Sequence, residues 1–273
     1  MLDVEIRHAI DPETARGLDT DGLRRHFHLG GMFVGGEIRL CYTHYDRMII
    51  GGAVPDADPM VLDHVPQCGT ASILDRREMA IVNIGGPGTV SAGKTYRLER
   101  ADVLYLPMGS GPVTFGGKGR FYILSAPAHR ACPARLIRIG EAKRVQMGAA
   151  ETSNLRTMCQ FIHPDVMESC QLAVGYTQLA PGSVCNTMPA HLHDRRMETY
   201  LYLDLAHDAC VFHFMGRPDE TRHLVMRNEE AAVSPPWSIH CGAGTGAYSF
   251  VWATAGDNAD NRDVEMVAVC AMR

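Results

Sequence analysis

After residue 30 the hydrophobic positions come in short runs, β-branched or aromatic, and each run is closed by Gly, Pro or Asp. "EIRLCYTHYDRMIIGG", "MAIVNIGGPGTVSAGKTYRL", "DVLYLP" and "RFYILSAP" carry the pattern in the first half. "QLAVGYTQLAPGS", "TYLYLDL", "ACVFHFMG", "RHLVMRN", "AAVSPP" and "AYSFVWATAG" carry it in the second. Runs of this length and composition, bounded by turn residues, predict strands. Many short strands at close spacing predict an all-β barrel or sandwich, not a parallel α/β sheet. Helix is expected only near the N-terminus, at "DPETARGL" and "TDGLRRHF", and around residues 151–160.

The pattern repeats. "LDRREMAIVNI" from Leu74 and "HDRRMETYLYL" from His193 both hold Asp-Arg-Arg, a glutamate soon after and then a strand. "YRLERADVLYLP" is matched by "MRNEEAAVSPPW", and "FYILSAPA" by "FVWATAGD", in the same order and roughly 120 to 130 residues on. A duplicated β module follows, with copies at about 30–130 and about 166–256. The expected division is an N-terminal module over 1–130 that includes the short helical segment, a connector over 131–165, and a C-terminal module and tail over 166–273.

Composition narrows the function classes. The chain has 273 residues, 46% of them hydrophobic, and a net charge of -5. It can bury a substantial core in one or two domains. No Lys/Arg run forms a basic stripe, so nucleic acid is not an expected partner. No stretch reaches the roughly 20 apolar residues that span a bilayer, so no membrane partner is expected either. The start, "MLDVEIRHAIDPETARGLD", has charges every few residues and does not read as a secretory signal; a cytoplasmic protein is expected. The nine cysteines are odd in number and show no C-x-x-C pair, against a disulfide framework or a thiolate zinc site. Cys241, next to His240, is the one thiol to watch.

"PAHLHDRRMETYLYL" holds the candidate chemistry. Residues two apart on a strand share a face, so His191 and His193 can aim at one point. Glu198 joins them if "DRR" bends the chain, and Tyr200 and Tyr202 then share its face. His240, in "PPWSIHCGAG", follows a proline turn late in the second copy and supplies a fourth donor. Three imidazoles and a carboxylate suit Zn, Fe, Mn or Ni. With Asp75 aligned on Asp194, Ser72 and Leu74 stand where the second copy has His191 and His193. One metal per chain is expected, in the second module. His44, His163, His213 and His223 read as structural, and His129 as a loop residue.

The H-x-H-x(4)-E pattern with a late histidine resembles the cupin metal site. The segments "CQLAVGYTQLAPGSVCNTMPAHLHDRRMETYLYL", "ACVFHFMGRPDETRHLVMRNEE", "SPPWSIHCGAGTGAYSFVWATAGDN", "YTHYDRMIIGGAVP" and "RREMAIVNIGGPGTV" resemble the 5-keto-4-deoxyuronate isomerases (4-deoxy-L-threo-5-hexosulose-uronate ketol-isomerases), from about residue 15 to the end. Ala190, Cys241 and the tail "VAVCAMR" depart from the family pattern. The resemblance implies two tandem cupin (double-stranded β-helix) barrels with a few short helices. It implies one Zn2+ per subunit on His191, His193, Glu198 and His240, and a homohexamer. It implies conversion of the small-molecule uronate 5-dehydro-4-deoxy-D-glucuronate to 3-deoxy-D-glycero-2,5-hexodiulosonate in pectin and polyuronide catabolism.

An aldose–ketose isomerase must move a proton between adjacent carbons, and a metal on the carbonyl oxygen lowers that barrier as a Lewis acid. Tyr200 and Tyr202 are the candidate catalytic residues on the barrel wall. Arg196 and Arg222 are the candidate guanidinium partners for the substrate carboxylate. The alternatives are another metal-dependent cupin enzyme, a sugar isomerase or dioxygenase, and a non-enzymatic sugar-binding bicupin. Long apolar strands such as "DRMIIGGAV" and "FYILSAPA" are expected to offer surface for assembly.

Overall fold

The alternating runs form strands, and the strands form two barrels of matching topology. The structure, a computed structural model, describes residues 1–257 and 263–273. It divides into two compact units.

The first unit comprises Met1–Arg7, Gly31–Lys143 and Gln160–Val174. Its seven-stranded sheet runs in the order Leu2–Arg7, Glu37–Thr43, Ile49–Val54, Phe121–Pro127, Arg77–Asn83, Val103–Leu106, Arg135–Ile137. A four-stranded sheet runs Met60–Leu62, Val113–Gly117, Gly88–Ala92, Lys94–Leu98. Leu74, Met79, Ile81, Leu104, Phe115 and Ile123 are among the fully buried side chains of its core. Each is worth about 1.5–3 kcal/mol of burial.

The strand Arg77–Asn83 is buried along its whole length. Met79 and Ile81 join the core, so Glu78, two-residue periodicity requires, points to the opposite face. There its carboxylate accepts the amides of Gln171 and Leu172 on Oε1, both at 2.6 Å, and the Cys170 amide at 2.7 Å with the Tyr105 hydroxyl at 2.6 Å on Oε2. Burial first, and then the charge of Glu78, holds the Tyr105 phenol well above its ordinary pKa.

The second unit comprises His8–Gly30, Arg144–Cys159 and Gly175–Arg273. The second seven-stranded sheet runs Lys143–Met147, Arg156–Ile162, Ala173–Leu179, Ser249–Gly256, Arg196–Leu203, Ala231–Ser234, His28–Leu29. Its four-stranded partner runs Cys185–Asn186, Cys241–Gly244, Val211–Arg217, Glu220–Met226. Each position in these orders has its counterpart in the first unit, as a duplication requires.

Three expectations are corrected. The helices at Pro12–Arg16 and Thr20–Phe27 form, capped by the Asp11 and Asp19 side chains, but residues 8–30 belong to the second unit and not to a 1–130 module. Their apolar side decides this: Leu23 and Phe27 are buried, Phe27 stands edge-on to Trp237, and His28–Leu29 pairs with Ala231–Ala232. Residues 151–160 are not a helix. A single 3-10 turn, Ala150–Thr152, ends at Ser153 in the left-handed region (φ 54°), and Arg156–Ile162 is a strand because it pairs between two sheet neighbours. The strands Ile49–Val54 and Phe121–Pro127, expected to offer apolar surface, are buried almost throughout in the single chain because each lies between two sheet neighbours.

Candidate metal centre

Four segments of the second unit bring their side chains to one point. The strand Arg196–Leu203 carries Glu198, with Tyr200 and Tyr202 next on the same face. Asp194 and Arg195 form the turn that the odd spacing of His193 and Glu198 requires. His191 lies on a short strand, His191–Leu192, that pairs with Glu265–Met266 of the C-terminal tail. His240 precedes Cys241–Gly244, after a turn closed by the Ser238 amide on the Pro235 carbonyl. Ala190 and Cys241 pack with Ile239 and Val267 in a small apolar cluster. That cluster backs the ligand segments, so the tail has a structural part in the site.

The ligating atoms of His191, His193, Glu198 and His240 all lie within 4.8 Å of one another. Glu198 Oε2 is 3.0 Å from Nε2 of both His193 and His240, and the Nε2 atoms of His240 and His191 are 2.9 Å apart. Glu198, His193 and His240 are nearly fully buried. Nδ1 of His193 is 3.0 Å from the Arg196 carbonyl. A proton donated there leaves the Nε2 lone pair free for a cation.

The four groups set one another's charge. Burial first, then the neighbouring His240, pushes His191 down to about 3, so it stays a neutral imidazole. Burial opposes charge on Glu198, yet His240 and His193 together hold its carboxyl well below the usual range. Burial also opposes charge on His193, and the Glu198 carboxylate outweighs it and raises the imidazole. Buried imidazole lone pairs converging on a carboxylate are satisfied by a divalent ion. The residues present therefore fit a metal. Among the described residues no other such cluster of three or more His, Cys, Asp or Glu is found.

The other sequence candidates fall into place around this centre. Tyr200 is buried, its ring 5.7 Å from that of His240. Tyr202 is spoken for: its hydroxyl lies 2.7 Å from Nδ1 of His213, whose Nε2 is 3.3 Å from Ser234 Oγ. Arg196 is buried and pairs with Asp263 at 2.8 Å, at the turn that carries the ligands. Arg222 is not brought to the cluster; its guanidinium bonds the Arg16 carbonyl beside the first helix. Cys241 is fully buried, and burial pushes its thiol up to about 12, so it is no nucleophile. Of the remaining histidines, His129 bonds Cys170, His163 bonds the Asp165 amide, and His223 stands against Phe212.

Three residues of this interior carried no sequence signal strong enough to name them. Arg156 lies in a segment read as helix. Asn186 and Tyr248 lie at strand ends, where alternation is too short to assign a face.

A family model described as the KduI/IolB family matches residues 37–268. The chain belongs to that family. It is 70% identical over 274 residues, with 100% of both chains covered, to the 4-deoxy-L-threo-5-hexosulose-uronate ketol-isomerase of Cereibacter sphaeroides (strain ATCC 17029 / ATH 2.4.9). The protein of that name from Agrobacterium fabrum is 61% identical, with 98% of each chain covered. The Bacillus pumilus protein is 49% identical, with 99% of this chain and 100% of that one covered. Among solved structures, an IolB-like protein from Salmonella typhimurium matches with a TM-score of 0.65 at 18% identity, over 81% of this chain and 86% of that one. Lactobacillus farciminis oxalate decarboxylase matches with a TM-score of 0.54 at 10% identity, over 77% of each. At those identities the likeness is one of fold, the paired cupin barrels.

Proposed function

We propose that this chain is a ketol-isomerase acting on 4-deoxy-L-threo-5-hexosulose-uronate, the compound in its relatives' names, with one zinc ion held by His191, His193, Glu198 and His240. The observation that carries the reading is the converging ligand set in a chain 70% identical along its whole length to a protein of that name.

The reaction takes a proton from the carbon bearing a hydroxyl and returns one to the neighbouring carbonyl carbon. A divalent ion bound by these four side chains supplies Lewis-acid polarisation of the carbonyl. The protein's own part is to hold hydroxyl protons at the oxygens where charge develops. Tyr200 is proposed for this, with Tyr202 behind it. Burial first raises both phenols well above their ordinary pKa, with the charge of Glu198 adding to it, so both stay protonated as donors. Tyr202 is tied to His213, which burial and then His240 push down to about 3, so that the imidazole remains a neutral acceptor. Tyr200 is then the donor facing the metal ligands, and Tyr202 supports it from one step further along the strand. Arg196, engaged with Asp263 and bonding His193 through its carbonyl, orients the ligands.

The reading extends, on the family resemblance, to a cytoplasmic homohexamer serving pectin and polyuronide breakdown. Among the described residues no helix is long and apolar enough to cross a membrane. The deciding experiment is an isomerase assay on enzymatically made ketouronate, after chelation and after zinc is restored. Turnover that follows zinc is expected. A zinc-loaded, folded chain that leaves the ketouronate unchanged refutes the proposal.

A further inference from the structure

We infer that Arg156, with the side chains of Tyr248, Asn186 and Trp252, forms the subsite that binds the substrate's carboxylate, inside the same barrel as the metal centre. The inference rests on the proposed isomerase reading and identifies where the uronate group of that substrate goes.

Arg156 starts the strand Arg156–Ile162 and is only 8% exposed. A buried guanidinium is costly unless an anion meets it. Among the described residues its one hydrogen bond runs from NH1 to the carbonyl of Asn154, two residues away, at 2.9 Å. No carboxylate of the described chain pairs with it. The groups that act on its charge are the phenols of Tyr200 and Tyr248, while burial lowers its pKa. The other buried arginine of this unit, Arg196, has Asp263. Arg156 has no carboxylate partner among the described residues.

Register puts it in the interior. The Ala180 amide bonds the Leu155 carbonyl, and the Leu179 amide bonds the Tyr248 carbonyl. Arg156 therefore lies opposite Leu179, and Leu179 opposite Tyr248, on one face. On that face Trp252 lies opposite Tyr200, and Tyr200 is the next inward residue after Glu198. Asn186 pairs with Gly242, and a Cβ at Gly242 would meet the hydroxyls of Tyr248 and Tyr202 at 3.1 and 3.2 Å. Asn186 and Tyr248 thus face the same space.

Three buried donors there lack an acceptor, and one acceptor, the side-chain oxygen of Gln160, which register places on the same face opposite Gly175, lacks a donor. Tyr248 Oη, Asn186 Nδ2 and Trp252 Nε1 are each buried with no hydrogen-bond partner. Asn186 and Tyr248 are 2% exposed. Buried polar atoms in native proteins are almost always paired. Three such donors on the inward face that carries a guanidinium with no carboxylate partner call for an oxygen-rich anion, and a carboxylate accepts two bonds from arginine and one or two more from neighbours. Gly175 makes room for the indole: a Cβ there would lie 2.1 Å from Trp252 Cζ2. Tyr200 is near both: its ring is 5.7 Å from that of His240, and its phenol acts on the charge of Arg156. A six-carbon uronate would then have its carbonyl end at the metal, its acid end at Arg156 and its hydroxyls under the Tyr200 phenol.

The test compares the ketouronate with the same compound carrying a primary alcohol in place of the carboxylate, on zinc-loaded wild type, Arg156→Lys and Arg156→Met, with zinc content measured throughout. Wild type is expected to favour the acid by at least about 100-fold in kcat/KM, the low end of what two charge-assisted hydrogen bonds contribute. In Arg156→Met that preference should fall below about 5-fold, mostly through KM, with zinc retained; Arg156→Lys should lie between. Equal use of both compounds by wild type, which needs no variant to fold, overturns the inference. So does an acid preference that survives in Arg156→Met, or a loss equal for both compounds. If wild type turns over neither, the isomerase reading has failed. Calorimetric binding of D-galacturonate against D-galactose then decides the subsite: an acid preference abolished in Arg156→Met supports it, and equal binding or a surviving preference overturns it.

Discussion

Replacing Glu78 by Gln changes one atom of a buried side chain and should cost the first unit much of its stability. In wild type each carboxylate oxygen accepts two hydrogen bonds, Oε1 from the amides of Gln171 and Leu172, Oε2 from the Cys170 amide and the Tyr105 hydroxyl. An amide keeps one accepting oxygen and turns the other into a donor, which faces two donors whichever way it is flipped. Two bonds to a charged acceptor are lost, at about 1.5–3 kcal/mol each, so the expected cost is about 3–6 kcal/mol. For a chain of this size each kcal/mol moves the midpoint by about 2–4 °C, so thermal unfolding should begin roughly 6–24 °C lower. Scanning calorimetry reads this directly, and elemental analysis should find the metal content unchanged, since no ligand is touched. Glu78→Ala leaves all four donors unpaired and should be worse. A Glu78→Gln midpoint within about 2 °C of wild type would show that these four contacts carry no net energy and would refute the reasoning.

Other outcomes follow from the second unit. A His191→Ala/His193→Ala double variant should lose the single bound ion while remaining folded; unchanged metal stoichiometry would place the site elsewhere. Glu198→Gln should weaken zinc binding and collapse turnover, with partial recovery at high zinc, whereas Tyr200→Phe should keep zinc and lose turnover; full zinc with no activity in Glu198→Gln would make Glu198 the base instead of a ligand. His213 titrates near its ordinary 6.5 when unfolded and only at about 3 when folded, chiefly through burial. Its protons therefore favour the unfolded chain as pH falls below 6.5, by a slope approaching about 1.4 kcal/mol per pH unit. A His213→Gln variant should lose stability less steeply between pH 6.5 and 4; parallel pH curves for variant and wild type would count against a neutral buried His213.

The cluster of His191, His193, Glu198 and His240 that could hold a metal was legible in large part before any fold was known, because three of the four sit within eight residues and strand periodicity decides which side chains can meet. His191, His193 and Glu198 needed one bend, and the turn at Asp194–Arg195 provides it. His240 was legible only through the repeat and the family resemblance. The all-β class and the duplication were legible for the same reason: alternation and turn residues are local, and the two sheet orders match position for position. Residues 151–160 misled because a short apolar segment without clear punctuation has no period of its own; sheet neighbours, distant in sequence, made Arg156–Ile162 a strand.

Glu78 shows where local reading ends. Its text, Asp-Arg-Arg followed by a glutamate, looks like that of Glu198, but it stands one place nearer the arginines. In a strand one place is the other face. Glu198 turns inward to three histidines, and Glu78 turns outward to three backbone amides nearly a hundred residues away. The first barrel, with Leu74 and Met79 inside, packs as a core and offers no metal a donor there. The sequence by itself determined which atoms could bind a metal and how the chain would alternate. Only the tertiary structure decided which charges find partners, since a charge's partner is set by contact in space: Asp263 for Arg196, the carbonyl of Arg16 for Arg222, and for Arg156 the carbonyl of Asn154 and no carboxylate among the described residues.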